Sequence, residues 1–186
     1  MKIKSLIVFM IIFPSVLVAQ NPTLETIFQR KSVRSYTERA ISLDTLKILV
    51  KAGMAAPTGM NRQPWEFVVI YGKEEMKRLA EKIPGIKMLK EAQAAIVVAG
   101  NPELSQFWYE DCSAATQNIL LAAESMGLGA VWTAGYPIEQ RMNQIADALA
   151  IPLPYRPLCL IPIGYPKGPQ QPKDKWKESK LHINRW

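Results

Sequence analysis

Three cations and a hydroxyl crowd the stretch Arg30-Lys31-Ser32-Val33-Arg34. A guanidinium offers a planar fork of donors, an ammonium a point charge and a hydroxyl one more donor, so these types together suit the gripping of an anionic cofactor. A pentapeptide of this kind on its own is usually a solvated helix end. Three more stretches accompany it. They are Ala56-Pro57-Thr58-Gly59-Met60-Asn61-Arg62-Gln63-Pro64-Trp65, then Gly127-Leu128-Gly129-Ala130-Val131-Trp132-Thr133-Ala134-Gly135, then Ile161-Pro162-Ile163-Gly164-Tyr165-Pro166. After the last comes a basic tail that holds Lys173 and Lys175 and ends His182-Ile183-Asn184-Arg185-Trp186.

Other chemistries lack their residues. His182 is the one histidine and sits in the tail, where it reads as a packing or interface residue, so a Ser-His-Asp triad or a zinc site has too few ligands or bases. Gly127-Leu128-Gly129 follows a helical stretch and precedes a strand, the reverse of a dinucleotide fingerprint, and reads as a helix end. Glu110-Asp111 opens a helix, where carboxylates suit the helix dipole. No residue is assigned as a catalytic acid, base or nucleophile, and a bound cofactor is left to carry the chemistry.

The elements that must position these residues follow from periodicity. Leu24, Ile27 and Phe28 predict an amphipathic helix over Thr23 to Arg30, and Ser42 caps a second whose Leu46, Leu49, Val50 and Met54 share a face. Phe67 to Tyr71 and Ala94 to Gly100 read as strands, with a surface helix from Lys73 to Lys82 between them. Ser105 to Met126 is apolar on nearly every side, the pattern of a central helix buried all round, and Gly127 stops it. Leu128 to Trp132 and Pro157 to Ile163 read as further strands, with a short helix started by Pro137 between them. Trp65 reads as core. The mixed order argues for an α+β sandwich.

The chain of 186 residues carries a formal charge of +7, and Lys167, Lys173, Lys175, Lys177, Lys180 and Arg185 crowd its last twenty residues. No nucleic-acid motif accompanies that charge, so a phosphate-binding segment or an anion-attracting surface is the reading, with no nucleic-acid partner. Met1-Lys2-Ile3-Lys4 and the apolar run Ser5 to Val18 predict a secretory signal over residues 1–19, ahead of one domain over 20–186, with an uncleaved membrane anchor as the alternative. Either places the folded part outside the cytoplasm, with a periplasmic location expected. Cleavage would remove two lysines and leave +5. Cys112 and Cys159 fall in apolar segments and read as buried free thiols, although export makes a disulfide conceivable.

In this order and at these distances the four stretches resemble the FMN-dependent nitroreductase family, from about Leu24 to Trp186. The resemblance implies an α/β/α sandwich with a mostly antiparallel central sheet and a long buried helix, in an obligate homodimer. It implies FMN as cofactor, with Arg30 and Ser32 at the phosphate and Arg34 near flavin N1 and O2. Lys31 either adds a phosphate contact or stands solvated. A second basic pair near the C-terminus matches Lys173 and Lys175, although Pro172-Lys173-Asp174-Lys175-Trp176 departs from the Arg-Lys-Pro common there. The loop Pro57, Thr58, Gly59 and Asn61 corresponds to one that reaches the flavin held mainly by the other subunit. Trp132, Thr133, Ala134 and Gly135 correspond to backbone along the flavin's other face that offers an N–H toward N5; some relatives carry Glu-Gly where this chain has Ala134-Gly135. The activity implied is ping-pong transfer from NAD(P)H or another reduced donor to a small planar nitroaromatic or quinone-like acceptor. A flavin-binding or interaction protein of the same fold without turnover is the alternative.

Overall fold

The computed structural model describes residues 21–186, so the secretory segment predicted over residues 1–19 lies outside the described residues. Asn21 starts the first helix by accepting hydrogen bonds from the Thr23 and Leu24 N–H groups at 3.0 and 3.3 Å. That helix, α1 (Pro22–Gln29), buries no residue within the chain; its predicted apolar stripe of Leu24, Ile27 and Phe28 faces outward. Ser42 caps α2 (Leu43–Met54), accepting from the Thr45 N–H at 3.2 Å. Leu46, Leu49 and Gly53 form its buried face, and Met54, which periodicity placed there, is exposed. Gly53 takes the contact because a Cβ at that position would stand 3.0 Å from Ile119, a separation only a glycine keeps comfortable.

The sheet contains β1 (Trp65–Tyr71), β2 (Ala94–Gly100), β3 (Gly129–Ala130), β4 (Thr133–Ala134) and β5 (Arg156–Gly164). Its order is β1-β2-β5-β3, with β4 also paired to β5, and every pairing is antiparallel. All seven residues of β2 are buried, as its unbroken apolar run requires of a central strand. One face of the sheet packs on α2 and α4 (Trp108–Ser125), through Ile96, Val98, Leu158, Ile161 and Ile163. The other packs on α3 (Lys73–Lys82) and α5 (Glu139–Leu149), through Ala95, Val97 and Leu160. The result is the α/β/α sandwich expected, and the alternation along β2 is what serves both layers.

Three expectations need correction. The strand expected over Leu128 to Trp132 is two pieces. Gly129 pairs with Gly164, Ala130 with Ile163, Thr133 with Leu160 and Ala134 with Cys159, one register throughout. The break falls opposite Pro162, which has no N–H to give the ladder. The helix expected to start at Pro137 starts at Glu139, is 11 residues long and leaves the proline outside. The long helix begins at Trp108 rather than Ser105, because Asn101 and Ser105 turn the chain first: Asn101 Oδ1 accepts from the Glu103 N–H at 2.8 Å and Ser105 Oγ from the Phe107 N–H at 3.1 Å. Its burial is also one-sided within the chain. Trp108, Asp111, Cys112, Ala115, Thr116, Ile119, Leu120 and Ala123 are buried, whereas Tyr109, Glu110, Gln117 and Ser125 are exposed. The helix ends as expected: Gly127 takes φ +69°, its N–H bonds to the Glu124 carbonyl, and the Leu128 N–H bonds to the Ala123 carbonyl at 2.8 Å.

Candidate functional site

Val33 and Tyr36 hold the Arg30–Arg34 segment to the sheet. Both are buried, while Ser32 and Arg34 between and beside them point to solvent and Arg30 is half-buried as the C-cap of α1. The Val33 N–H donates to the Ala130 carbonyl at 3.0 Å, part of a parallel bridge between Ser32 and Ala130. Tyr36 bridges Pro166, and its hydroxyl donates to the carbonyls of Val33 and Pro162 at 2.6 and 3.1 Å. Two glycines make room for these anchors. A Cβ on Gly129 would fall 2.5 Å from Val33, and one on Gly164 2.7 Å from the Tyr36 side chain. Burial pushes the Tyr36 phenol well above its ordinary pKa, so it stays a neutral donor. Glu91 fixes the segment from below by accepting from Ser35 Oγ at 2.8 Å and the Tyr36 N–H at 3.2 Å. Those two hydrogen bonds, the one from Ser35 first, lower its carboxyl pKa.

The five residues do not all face one way. The Arg34 Nη1 donates to the Ser32 carbonyl at 3.4 Å. Lys31, expected either at a phosphate or solvated, is ion-paired: its Nζ lies 2.7 Å from Glu124 Oε1 and also donates to the Gln29 carbonyl at 3.3 Å. Both side chains of the pair are about one-fifth exposed or less. A glutamate in the last turn of α4 opposes the helix dipole, and Lys31 offsets that charge.

The 132–135 stretch follows β3, whose Ala130 is the point that the Val33 N–H bonds to. Thr133 and Ala134 are half-buried, and the Thr133 hydroxyl donates to the Leu160 carbonyl. The N–H groups of Gly135 and Tyr136 both donate to the Leu158 carbonyl, at 2.9 and 3.0 Å, so neither is the N–H offered to a ligand. Gly135 is required by the fold itself, since a Cβ there would stand 2.7 Å from the Pro157 carbonyl oxygen. Tyr136 then stacks on Tyr109 with ring centroids 5.6 Å apart, and meets Trp108 edge-on at 4.9 Å.

The Pro57–Gln63 loop lies at the N-terminal end of α4, opposite to the Lys31–Glu124 pair. Gly59, Met60 and Asn61 form one tight turn in which Met60 and Asn61, with Gln63 beyond, take φ of 50°, 54° and 48°. The Gln63 N–H donates to Thr58 Oγ1 at 3.2 Å and its Nε2 to Asn61 Oδ1 at 2.8 Å. The Gly59 N–H donates to Asp111 Oδ1 at 2.8 Å. The expectation for Asp111 is a first-turn carboxylate suited to the helix dipole; the structure buries it and gives it a loop to hold. A signal was present: Asp111, Cys112 and Ala115 follow Trp108 at spacings of three, four and seven, one helical face, and that face is buried.

Lys173 and Lys175 are exposed in the tail beyond β5, and Asp174 between them accepts from the Trp176 N–H at 3.0 Å. Among the described residues no hydrogen bond or ion pair joins either lysine to the Arg30–Arg34 segment. The tail does leave from beside it, since the Lys167 N–H donates to the Ser35 carbonyl at 3.0 Å. His182 stacks on Trp186 at 4.2 Å. Trp65 is half-buried against the core, with its Nε1 buried and without an acceptor among the described residues. Cys112 and Cys159 are buried free thiols; burial raises both, Cys159 to about 12, so neither is a nucleophile.

A model of the nitroreductase family matches residues 27–86 and 86–165. A proposed NADH dehydrogenase/NAD(P)H nitroreductase of Archaeoglobus fulgidus is 39% identical over 170 residues, 88% of this chain and 98% of its own. Among solved structures, a proposed NADH dehydrogenase/NAD(P)H nitroreductase of Bacteroides thetaiotaomicron shares 48% identity at a TM-score of 0.85, covering 89% of this chain and 99% of that one. A proposed nitroreductase of Desulfovibrio desulfuricans, in complex with FMN, shares 30% identity at a TM-score of 0.75 over 89% of this chain and 98% of its own.

Proposed function

The chain belongs to the nitroreductase family, and on that premise we propose that it is an exported FMN-dependent oxidoreductase acting between a reduced donor, NAD(P)H or a substitute for it, and a planar nitroaromatic or quinone-like acceptor. The described residues fit FMN. Val33 and Tyr36 pin the segment from behind, so exposed Ser32 and Arg34 and half-buried Arg30 are carried on a backbone that cannot drift. When bound, FMN supplies reversible two-electron chemistry at its ring, with negative charge arising at the N1 and O2 edge on reduction. Arg30 and Ser32 would hold the phosphate, and Arg34 would stabilise the charged edge. Asn61 carries both a donor and an acceptor for the pyrimidine edge, and the backbone at Trp132, Thr133 and Ala134 would lie along the other face. Lys31 is committed to Glu124, whereas Lys173 and Lys175 are exposed and would be the basic pair for the phosphate end.

The two ends of α4 support the homodimer reading. Lys31 ties the basic segment to Glu124 at the C-terminal end of α4, and Asp111 ties the Asn61 loop to its N-terminal end. Glu124 lies thirteen helical steps beyond Asp111, about 20 Å at 1.5 Å per residue. Each chain thus presents two half-sites at two ends of one rod, and a two-fold pairing lets each complete the other. The outward Leu24, Ile27 and Phe28 of α1 supply apolar surface of the kind such a pairing buries.

Purified protein tests the function. It should be yellow, bleach anaerobically with NADH, NADPH or dithionite-reduced donors, and regain its colour on adding a nitroaromatic or a quinone. Yellow protein that no donor bleaches removes turnover, and protein that takes up no FMN overturns the whole reading. Export is checked by cell fractionation and by the intact mass, which should lack the first 19 residues.

A further inference from the structure

Asp111 is only 5% exposed, and its two oxygens hold two different loops. Oδ1 accepts from the Gly59 N–H at 2.8 Å, and Oδ2 accepts from Ser105 Oγ at 3.1 Å. The loop beyond Gly59 needs holding. Met60, Asn61 and Gln63 all sit in the left-handed region, which asparagine tolerates and methionine and glutamine do not adopt without strain. Packing does not impose that shape, because residues 60–63 are all exposed, Met60 by 73%. Strained backbone persists only where its surroundings over-determine it. The surroundings here are the Asp111 carboxylate, which takes the Gly59 N–H, and the Phe107 ring, which a Cβ on Gly59 would approach to 2.9 Å. Within the loop the Gln63 amide then aims the Asn61 side chain.

We infer that Asp111 is a positioning residue: through the Gly59 N–H it holds the Gly59–Gln63 loop in the strained shape that presents Asn61 to the flavin. This rests on the FMN reading above. Asp111 touches neither flavin nor substrate; it acts through the loop backbone, and its effect must run through Asn61.

The test titrates FMN into apo-protein of wild type, Asp111→Asn, Asp111→Ala, Asn61→Ala and the double variant Asp111→Ala/Asn61→Ala, each checked by far-ultraviolet circular dichroism. Asp111→Ala should weaken FMN about tenfold, as Asn61→Ala does, and the double variant should be no more than about twofold weaker than Asn61→Ala, since both changes remove one contact. Asp111→Asn keeps an oxygen for Gly59 and an amide for Ser105, so it should bind FMN within about threefold of wild type. The visible band of bound flavin should shift alike in Asp111→Ala and Asn61→Ala. If Asp111→Ala does not fold, Asp111→Ser, too short to reach Gly59, takes its place with the same expectations. Effects of Asp111→Ala and Asn61→Ala that multiply, or an Asp111→Ala protein with wild-type affinity, overturn the inference while the FMN reading stands. Wild-type protein that binds no FMN overturns both.

Discussion

Arg30 and Arg34 lie four residues apart on one pinned segment, yet their chemistry separates them. Arg30→Ala should weaken FMN by about 1.5 to 3 kcal/mol, roughly tenfold to 150-fold, because a charge-assisted phosphate contact is lost while the phosphate stays partly desolvated. Titration of the apo-protein reads this directly, and an unchanged affinity removes Arg30 from the site. Arg34→Ala should instead lower the midpoint potential of bound flavin more than it weakens binding, since its charge favours the reduced, anionic ring. Spectroelectrochemistry decides; a fixed potential with collapsed affinity reverses the two roles. The residue behind them is Gly129. Its missing side chain is where Val33 sits, so Gly129→Ala forces a methyl to within 2.5 Å of Val33 and should destabilise the fold by about 1 to 3 kcal/mol. Urea unfolding measures the loss, and a midpoint equal to wild type would mean that Val33 yields.

The segment carrying the arginines is not a helix or a strand, and its position depends on elements it touches only at points: β3, the start of the tail, and Glu91. Glu91 therefore gives a pH signature. Its carboxyl is held below the ordinary value of 4.5 by the hydrogen bonds from Ser35 and the Tyr36 N–H. A depressed carboxylate contributes stability that is present above its unfolded pKa and is lost as the pH falls through the folded one. Glu91→Gln keeps an acceptor without the charge, so the stability gap between wild type and variant should be widest near pH 7 and close below about pH 4.5. Unfolding midpoints across that range check it, and a gap independent of pH refutes the role. At the same scale, α4 is the rod that sets the distance between the two proposed half-sites, and the turn from Asn101 to Ser105 decides where that rod begins.

At the scale of the whole molecule the two half-sites predict an assembly. Arg30→Ala and Asn61→Ala proteins, each defective alone, should regain about one intact flavin site of two when co-refolded, because one subunit of the mixed pair supplies an intact loop where the other supplies an intact basic segment. A light-scattering mass of a flavin-loaded monomer would refute the shared site. Much of this was legible in the sequence. The apolar runs of β2 and β5, the caps at Ser42 and Gly127, and the four stretches that carry the family resemblance are local or follow chain order, so the fold class, the family and Arg30, Ser32, Arg34 and Asn61 as candidates could be read without coordinates. Three-dimensional contacts decided the rest. Lys31 read equally as a phosphate contact or a solvated lysine until Glu124, 93 residues away, proved to hold it. Asp111 read as first-turn charge suited to the helix dipole until the Gly59 N–H, 52 residues back, proved to bond to it. The sequence by itself determined which side chains could meet a flavin; only the tertiary structure decided which of them are already committed to another residue, because an ion pair or a loop clamp between distant positions has no spacing that a linear pattern can carry.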